Sequence, residues 1–479
     1  MGLRLYNTLS RKVEDFRPLE EGRVKIFVCG TTEQDFVHLG HGRTYAFYDT
    51  LVRFLKHLGY DVFYIQNITD VGHLTDDADQ GEDKILLSAR KEGKHPMEIV
   101  DYFIKEHLEA ADKLRLARPN IMPRATGHLP EIIEQVRTLL EKGYAYEVNG
   151  SVYYDISKFE DYGKLSRVNV EEMLSGARVD VREEKRNPRD FALWINAPRG
   201  HVLRWPSPWG EGYPGWHIED TAIAIKYFGP QYDIHGGAIE LAFPHHEAEI
   251  AQAEATTGVK PYVRYWVHTG LLTIMGEKMA KSKGNYIKLI DALEQYGAEA
   301  LRLWMASAHY RQPVDYSEEA LQAAQKNIKK ISQTLRRITQ SLEDAPREKS
   351  VFAEEVKELE KRFMDAMMDD MNTPKALSLF FELLSTVNKN VDSETYSRED
   401  LEIAGATIRR LGDFFQIIPE EKPGTELMES LVEMILQLRE EARRNRDWEN
   451  SDKIRKKLRE LGIDVEDTPG GASWEIANR

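Results

Sequence analysis

The feature that most constrains this chain is a short apolar strand that turns directly into a helix near its start. Residues 25–28 form a mostly apolar run of strand length, and Gly30 ends it. A helical spacing of apolar residues follows over 44–58, and a second strand-like run covers 62–65. This order predicts a parallel strand–helix–strand crossover. Because unpaired backbone N–H groups and the positive dipole end meet at the start of such a helix, the turn is suited to bind phosphate.

Two histidines flank a glycine at the expected start of this helix, in the tetrapeptide His38-Leu39-Gly40-His41. The imidazoles can donate hydrogen bonds to a phosphate whose charge grows in a transition state, and Gly40 lets a flat base approach the backbone. The same tetrapeptide can arise by coincidence or as a surface cap. It therefore predicts a nucleotide site only together with other motifs.

The composition is that of an ordinary globular protein. Of 479 residues, 41% are hydrophobic and 30% are charged, and the length favours about three domains. No run of eighteen apolar residues and no signal-like segment is present, which predicts a cytoplasmic protein without a membrane partner. Cys29 is the only cysteine, so no internal disulfide can form. The net charge of −15 neither supports nor excludes a polynucleotide partner.

Two later segments carry residues suited to bind a metal and a polyphosphate. Pro244 predicts a helix start that places His245 and Glu249 one turn apart, where they share a metal or form an exposed polar turn. Lys278 and Lys281 lie in a short loop between two glycines. Such a loop suits closure over a polyphosphate, although a solvated surface loop has the same composition.

The rest of the chain divides by its patterns. Residues 144–154 predict a β-hairpin around Asn149-Gly150, and the segment 198–214 is expected to be a loop. The sheet is expected to resume with two short apolar stretches, 215–220 and 232–237. Helical periodicity dominates 289–342 and 351–415, as in a helix bundle. A linker is expected over 419–424, followed by a small domain whose first helix has one apolar face: Leu427, Leu431, Met434, Leu438 and Ala442.

The order of four motifs identifies a resemblance that covers nearly the whole chain. HLGH (38–41), GWHIE (215–219), FPHHEAE (243–249) and KMAKS (278–282) resemble class I aminoacyl-tRNA synthetases, and within them the cysteinyl-tRNA synthetase family. The resemblance implies an α/β fold: a Rossmann-type catalytic domain with a connective insertion, then an α-helical bundle and a small anticodon-binding domain. The expected regions are 1–120 and 205–265 (catalytic domain), 121–204 (insertion), 266–317 (stem-contact region), 318–420 (bundle) and 421–479 (anticodon-binding domain).

The resemblance also implies the reaction and the residues that serve it. A monomer would activate L-cysteine with ATP and transfer it to tRNA(Cys), releasing AMP and diphosphate. His38 and His41 would steady the α-phosphate beside Gly40, while Lys278 and Lys281 would neutralise the departing pyrophosphate with Mg²⁺. The amino acid would contact Thr69, Trp216 and His235, and the anticodon would contact Arg443, Trp448, Asp452 and Asp467.

In this family a zinc ion selects cysteine by holding its thiolate. The motif positions imply Cys29, Asp220, His245 and Glu249 as the zinc ligands here. The family has a cysteine where this chain has Asp220, and it has a proline and Val-Tyr-like residues within 31–34, where this chain has Thr-Thr-Glu-Gln. Asp220 is expected at the end of a sheet strand. It either binds zinc through oxygen or hydrogen-bonds a histidine ligand instead.

Two other functions stay open from the sequence alone. One is an ATP-dependent ligase that joins cysteine or a related amino acid to a small amine. The relatives with that activity lack the anticodon-binding domain, which this chain appends after residue 420. The other is an RNA-binding paralogue that has lost amino-acid activation, against which the intact HLGH and KMAKS motifs argue.

Overall fold

The computed structural model describes residues 2–74, 82–168, 184–279, 284–347, 350–420, 425–468 and 471–476. The chain forms two compact units, a large unit (Met1–Ile418) and a small unit (Pro419–Arg479). The described strands are β1 (Arg4–Asn7), β2 (Lys12–Asp15), β3 (Arg23–Val28), β4 (Asp61–Gln66), β5 (Ala145–Val148), β6 (Ser151–Tyr154), β7 (Phe191–Asn196), β8 (Trp205–Ser207), β9 (Gly210–Pro214), β10 (Tyr232–Ala238), β11 (Val263–Thr269), β12 (Leu272–Ile274), β13 (Glu277–Lys278), β14 (Val314–Tyr316), β15 (Ile463–Thr468) and β16 (Gly471–Ile476).

Outside its sheets, the large unit consists mostly of α-helices. No helix among the described residues is long and apolar enough to cross a membrane. The described α-helices are α1 (Leu39–His57), α2 (Lys84–Glu92), α3 (Pro96–Lys113), α4 (Leu129–Glu141), α5 (Ile218–Phe228), α6 (His245–Thr257), α7 (Leu289–Tyr296), α8 (Ala298–Ala306), α9 (Glu318–Glu343), α10 (Ala353–Met368), α11 (Thr373–Asp392), α12 (Arg398–Asp413), α13 (Thr425–Arg444) and α14 (Trp448–Glu460).

The central sheet is parallel, with the order β11-β10-β3-β4. The crossover β3–α1–β4 predicted from the sequence is confirmed, and β10–α6–β11 runs to the opposite edge. Starting from the neighbouring strands β3 and β10, the two crossovers therefore run to opposite edges of the sheet. In open α/β sheets, ligands bind at such a switch point, beyond the carboxyl ends of the strands.

An antiparallel sheet, β5-β6-β7-β9-β8, is inserted between the two halves of the parallel sheet. The predicted hairpin is confirmed, because Asn149 and Gly150 take φ values of 52° and 80° between β5 and β6. The expected loop over 198–214 is wrong, since it contains β8 and β9. The glycines of this segment mislead a sequence analysis: a Cβ on Gly212 would lie 2.3 Å from the Ile195 carbonyl oxygen, so glycine is what lets the strands pair.

Of the two stretches predicted to resume the sheet, 232–237 is confirmed as part of β10 and 215–220 is wrong. Helix α5 begins at Ile218 and is buried from Ile218 to Ala224, and the sheet resumes only with β10. A stretch of helix that is buried at every position shows no apolar face, so periodicity cannot distinguish residues 218–224 from a buried strand. Asp220 thus lies in the first turn of a helix and not at a strand end.

The helices α9 to α12 form the bundle that the sequence predicted, with the short strand β14 before it. Asp400, at the start of α12, accepts hydrogen bonds of 2.8–2.9 Å from the backbone N–H groups of residues 351–353 and one of 2.7 Å from Ser350 Oγ. Burial disfavours its charge, but the hydrogen bonds from Ser350, Val351 and Ser397 outweigh burial and lower the pKa of Asp400.

Asp400→Asn is expected to destabilise the large unit by about 3 kcal/mol at pH 7, because hydrogen bonds to a charged group contribute roughly 1.5–3 kcal/mol each. A folded-state pKa below the unfolded value of about 3.9 means that this stabilisation is complete above that value and is lost as the pH falls through the folded pKa. Thermal unfolding of the full chain at pH 7 and at pH 3 tests this. Asp392→Asn, which removes an exposed ion pair with Arg337, is the control and should change stability little. An equal effect of both variants would contradict the assignment.

The small unit packs α13 and α14 on the antiparallel pair β15–β16. Its core includes Val432, Leu436 and Leu458. The helix predicted here is confirmed, but the apolar face predicted for α13 does not form the core, since Leu431, Met434 and Leu438 are 46–52% exposed. Helix α13 carries two apolar stripes, and the packed one is offset from the predicted one. The Leu427 side chain lies outside the described residues, and the six-region division of the chain stays a prediction.

Candidate active site

A cleft of about 650 Å³ opens at the switch point between β3 and β10. The first half of the sheet contributes the residues that follow β3 and the start of α1, and the second half contributes Gly237 and the start of α6. Residues predicted for the site that line this cleft are Cys29, His38, Gly40, His41, Thr69, Trp216, Asp220 and His245.

The two histidines of the HLGH motif cap helix α1 reciprocally. The His41 backbone N–H donates to His38 Nδ1 (3.2 Å), and the His38 backbone N–H donates to His41 Nδ1 (3.3 Å). Since both Nδ1 atoms accept, the proton of each neutral ring lies on Nε2. Desolvation, followed by the charges of His38 and His107, lowers the pKa of His41 well below its usual value. At neutral pH His41 is therefore an uncharged N–H donor at a helix N-terminus.

Gly40 brings the KMAKS segment against this helix start. A Cβ on Gly40 would lie 2.9 Å from His38 Cε1 and 3.6 Å from Met279 Cε. The segment after the KMAKS loop is held by backbone hydrogen bonds, from Leu39 N–H to Ile287 O (3.0 Å) and from Leu289 N–H to Val37 O (2.9 Å). Lys278 lies in β13, but its side chain is outside the described part of the chain, as is the whole of Lys281.

Four donor groups converge at the other end of the cleft. Ligand atoms of Cys29, Asp220, His245 and Glu249 lie within 4.8 Å of one another. His245 Nε2 is 2.9 Å from Asp220 Oδ2 and 3.3 Å from Glu249 Oε1, and Cys29 Sγ is 3.4 Å from Asp220 Oδ2. The one-turn spacing predicted for His245 and Glu249 on α6 is confirmed.

Asn67 fixes the orientation of the Asp220 carboxylate. Its amide N–H donates to Asp220 Oδ1, and its own Oδ1 accepts from the Gly30 backbone N–H (2.7 Å). A Cβ on Gly30 would lie 1.8 Å from the Asn67 carbonyl oxygen, so only glycine permits this approach. With Oδ1 held by Asn67, Oδ2 is the oxygen that faces Cys29 and His245.

The chemistry of this donor set fits a divalent cation. Asp220 and Glu249 are 1% and 0% exposed, and neither oxygen of Glu249 has a hydrogen-bond partner among the described residues. Burial, followed by the Asp220 charge, raises the pKa of Glu249 and that of the Cys29 thiol. The ion pairs formed by these carboxylates within the described residues are all with histidines. A bound cation would offset this buried negative charge and take as ligands the Glu249 oxygens that lack a hydrogen-bond partner.

A second set, Cys29, His235, His246 and Glu249, also brings ligand atoms together. His235 and His246 are completely buried and do not line the cleft, so a metal held by them would be sealed from substrate. Their Nε2 atoms lie 3.3 and 3.1 Å from Cys29 Sγ. They are placed to donate hydrogen bonds to a Cys29 thiolate from behind. His235, predicted as an amino-acid contact, is thus brought to the sulfur and not to the cleft wall.

Further groups orient these histidines, and the sequence analysis did not single them out. His246 Nδ1 pairs with His268 Nε2 (2.8 Å), and His268 Nδ1 pairs with Thr8 Oγ1 (2.8 Å). His217 Nδ1 is 2.9 Å from His245 Nδ1, which leaves His245 Nε2 for the metal. The signal was available in the sequence: five of the 14 histidines lie between residues 217 and 268.

The residues predicted to read the anticodon belong to the small unit. Trp448 is 59% exposed, and Asp452 is exposed one turn later on α14. Trp448 is therefore not a core residue. Arg443 is half-buried on α13, and Asp467 lies in β15 with its side chain outside the described residues.

Solved structures share this fold at low sequence identity. Methionyl-tRNA synthetase of Mycobacterium tuberculosis in complex with methionyl-adenylate has a TM-score of 0.58 and 15% identity, over 82% of this chain and 90% of that one. A putative arginyl-tRNA synthetase from Campylobacter jejuni has a TM-score of 0.57 and 13% identity, over 84% and 94%. The family described as tRNA synthetases class I (C) catalytic domain matches residues 15–326. The fold and the cleft are those of a class I aminoacyl-tRNA synthetase.

Curated relatives show which family within this class the chain resembles. The chain is 46% identical to the cysteine–tRNA ligase of Chlorobium chlorochromatii, over 99% of this chain and 100% of that protein. It is also 46% identical to the cysteine–tRNA ligase of Thermus thermophilus, with the same coverage. The DALR domain family matches residues 362–418, and the cysteinyl-tRNA ligase anticodon binding domain matches 428–474. The chain belongs to the cysteine–tRNA ligase family.

Proposed function

We propose that this enzyme activates L-cysteine with ATP and transfers it to tRNA(Cys), selecting the amino acid at a zinc site formed by Cys29, Asp220, His245 and Glu249. The observation that carries the proposal is the convergence of these four groups at the cleft, where neither oxygen of the buried Glu249 has a hydrogen-bond partner among the described residues. When bound there, zinc would supply a Lewis acid that takes the substrate thiolate as a further ligand and discriminates against the hydroxyl of serine.

The direct hydrogen bond from Asn67 to Oδ1 supports Asp220 as a ligand through Oδ2. His217 holds the other nitrogen of His245, and His235 and His246 face the Cys29 sulfur. Such outer partners fix the orientation of ligands and stabilise a thiolate. The set thus supports one site with a single thiolate, two carboxylates and one imidazole.

At the other end of the cleft, ATP would lie over the start of α1. The Nε2–H groups of His38 and His41 would donate to the α-phosphate as the amino-acid carboxylate attacks it and AMP becomes attached. Lys278 and Lys281, with Mg²⁺, would neutralise the pyrophosphate that leaves. No residue acts as a nucleophile, so the chain's contribution is positioning and electrostatic stabilisation.

An ATP–pyrophosphate exchange assay across the twenty amino acids tests this function. Exchange should depend on cysteine, and serine should be rejected strongly. Exchange with another amino acid would contradict the substrate, and no exchange at all would favour an RNA-binding protein without activation. Aminoacylation of tRNA(Cys), compared with a small amine as acceptor, separates the synthetase from an amine ligase. The monomeric state stays a prediction, which light scattering tests.

Trp448→Ala is expected to lower kcat/KM for tRNA in aminoacylation roughly ten- to hundredfold, because stacking of a base on an aromatic ring contributes about 1–3 kcal/mol. Cysteine-dependent exchange should not change, since the variant lies in the small unit. Leu461→Ala is the matched control, because Leu461 is another exposed apolar residue of that unit, at 76%. Full aminoacylation by the Trp448 variant would contradict a role in reading the anticodon.

A further inference from the structure

A row of three polar side chains lines the cleft beside Trp216: Thr32, His73 and Lys84. His73 Nδ1 is hydrogen-bonded to Thr32 Oγ1, and Lys84 Nζ is 2.8 Å from His73 Nε2. The proposed zinc and ATP contacts do not use any of these three groups.

Backbone hydrogen bonds and ring stacking hold this row of side chains in place. Lys84 N–H donates to His73 O (3.0 Å), so the two residues lie side by side. The His73 ring stacks on Trp216 at 4.1 Å between centroids, and Trp216 stacks on the proposed ligand His245 at 4.4 Å. Thr32 is bridged to Thr69, whose carbonyl accepts from the Glu33 N–H (3.2 Å). The row therefore lies at the amino-acid end of the cleft.

The direction of each hydrogen bond follows from the chemistry of Lys84. An ammonium group only donates, so His73 Nε2 must accept, and the proton of the neutral ring is on Nδ1. Nδ1–H then donates to Thr32 Oγ1. Since that oxygen is the acceptor, the Thr32 hydroxyl proton is available for a different acceptor. Among the described residues, Thr32 Oγ1 has no hydrogen-bond partner apart from His73.

We propose that Lys84 and His73 act as positioning residues that fix the Thr32 hydroxyl as a hydrogen-bond donor to the α-carboxylate of the amino-acid substrate. This inference rests on the proposed function, which places the substrate side chain at Cys29 and its carboxylate between that site and His38. The positive charge of Lys84 favours a carboxylate over an ammonium group at this wall of the cleft.

Thr32→Val is the first test, because it removes the hydroxyl and keeps the shape. In cysteine-dependent exchange, KM for cysteine should rise about tenfold, while KM for ATP stays unchanged. Thr32→Ser should restore the wild-type value. Cysteamine, which is cysteine without its carboxylate, should inhibit the wild type and Thr32→Val equally. An unchanged KM for cysteine, or an equal loss of cysteamine affinity, would overturn the proposal.

Lys84→Glu tests the relay itself, since a carboxylate accepts from Nε2–H and so reverses the tautomer of His73. The Thr32 hydroxyl must then donate to Nδ1 and is lost to the substrate. KM for cysteine should rise about tenfold in the wild-type background and not further in Thr32→Val. Lys91→Glu, an exposed position on α2, controls for the added negative charge. Equal effects of Lys84→Glu in both backgrounds would contradict a role through Thr32.

Exchange assays on the wild-type enzyme test the proposed function independently of these variants. If the wild type exchanges with another amino acid, the same variants are compared with that amino acid and its decarboxylated amine. ¹⁵N shifts of His73, which report the tautomer, give a reading independent of activity. They should show Nδ1–H in the wild type and Nε2–H in Lys84→Glu, and Nε2–H in the wild type would overturn the proposal.

Discussion

Asp220→Ala is expected to lower zinc affinity more than about a hundredfold and to abolish cysteine-dependent exchange at micromolar cysteine. Removing a hydrogen-bond partner of a ligand already costs roughly 10–100-fold in metal affinity, and the loss of a ligand costs more. The geometry behind this expectation is the position of Asp220 Oδ2, 2.9 Å from His245 Nε2 and 3.4 Å from Cys29 Sγ. Elemental analysis of the purified protein and exchange kinetics measure the two effects.

Two further variants at this position separate ligation from shape. Asp220→Asn keeps an oxygen for the Asn67 hydrogen bond but presents an amide to the metal, so it should fail as Asp220→Ala does. Asp220→Cys restores the residue type of the family and should retain zinc. Asp233→Asn is the control for loss of a buried carboxylate, because Asp233 bonds the Lys25 and Leu19 N–H groups away from the cleft. One equivalent of zinc and unchanged cysteine affinity in Asp220→Ala would exclude direct ligation.

His41→Ala is expected to slow adenylate formation about 100- to 1,000-fold, with a small effect on the KM of ATP. A preorganised donor to charge that develops in the transition state contributes roughly 3–4 kcal/mol. Because burial lowers the pKa of His41 well below 6.5, the ring is neutral and the rate should not fall between pH 8 and pH 6 through its protonation. Single-turnover kinetics across this range measures both quantities.

The control for His41→Ala must account for its role in capping α1. In the capping box of α3, the exposed Glu98 holds the position that His41 holds in α1, since its Oε1 accepts from the His95 N–H (3.3 Å), so Glu98→Ala removes a similar capping contact away from the cleft. It should leave adenylate formation unchanged. His41→Gln offers an N–H group near the Nε2 position and should recover part of the rate. If His41→Ala were as fast as wild type, the proposed phosphate contact would be wrong.

The parts of the fold that local sequence encodes were predictable. The β3–α1–β4 crossover follows from apolar spacing and Gly30, and the hairpin follows from Asn149-Gly150, whose positive φ values need those residues. The strands β8 and β9 were missed because Pro206, Gly210 and Gly212 give this segment the composition of a loop, although Gly212 permits the close pairing of β9 with β7. Helix α5 was missed because its first seven residues, 218–224, are all buried, which removes the periodic signal there.

The site could be predicted only in part, for a different reason. His245 and Glu249 follow from helical spacing, but Cys29 and Asp220 come from distant segments that only the fold brings together. Their assignment to one metal site came from a family resemblance and not from their spacing in the sequence. The supporting roles of Asn67, His217 and His268 depend on side-chain orientation across elements, which no local pattern encodes. The core face of α13 could not be predicted for the same reason. The helix has two apolar stripes, and only packing against the rest of the small unit determines which of them is buried.

Zinc X-ray absorption spectroscopy of the loaded enzyme, with and without cysteine, tests the central claim most directly. Cys29 is the only cysteine of the chain, so one sulfur at about 2.3 Å is expected without substrate, together with nitrogen and oxygen ligands at about 2.0–2.2 Å. A second sulfur can then come only from substrate, and the account predicts two sulfurs with cysteine and one with serine. No sulfur in the free enzyme, or one sulfur regardless of cysteine, would contradict it.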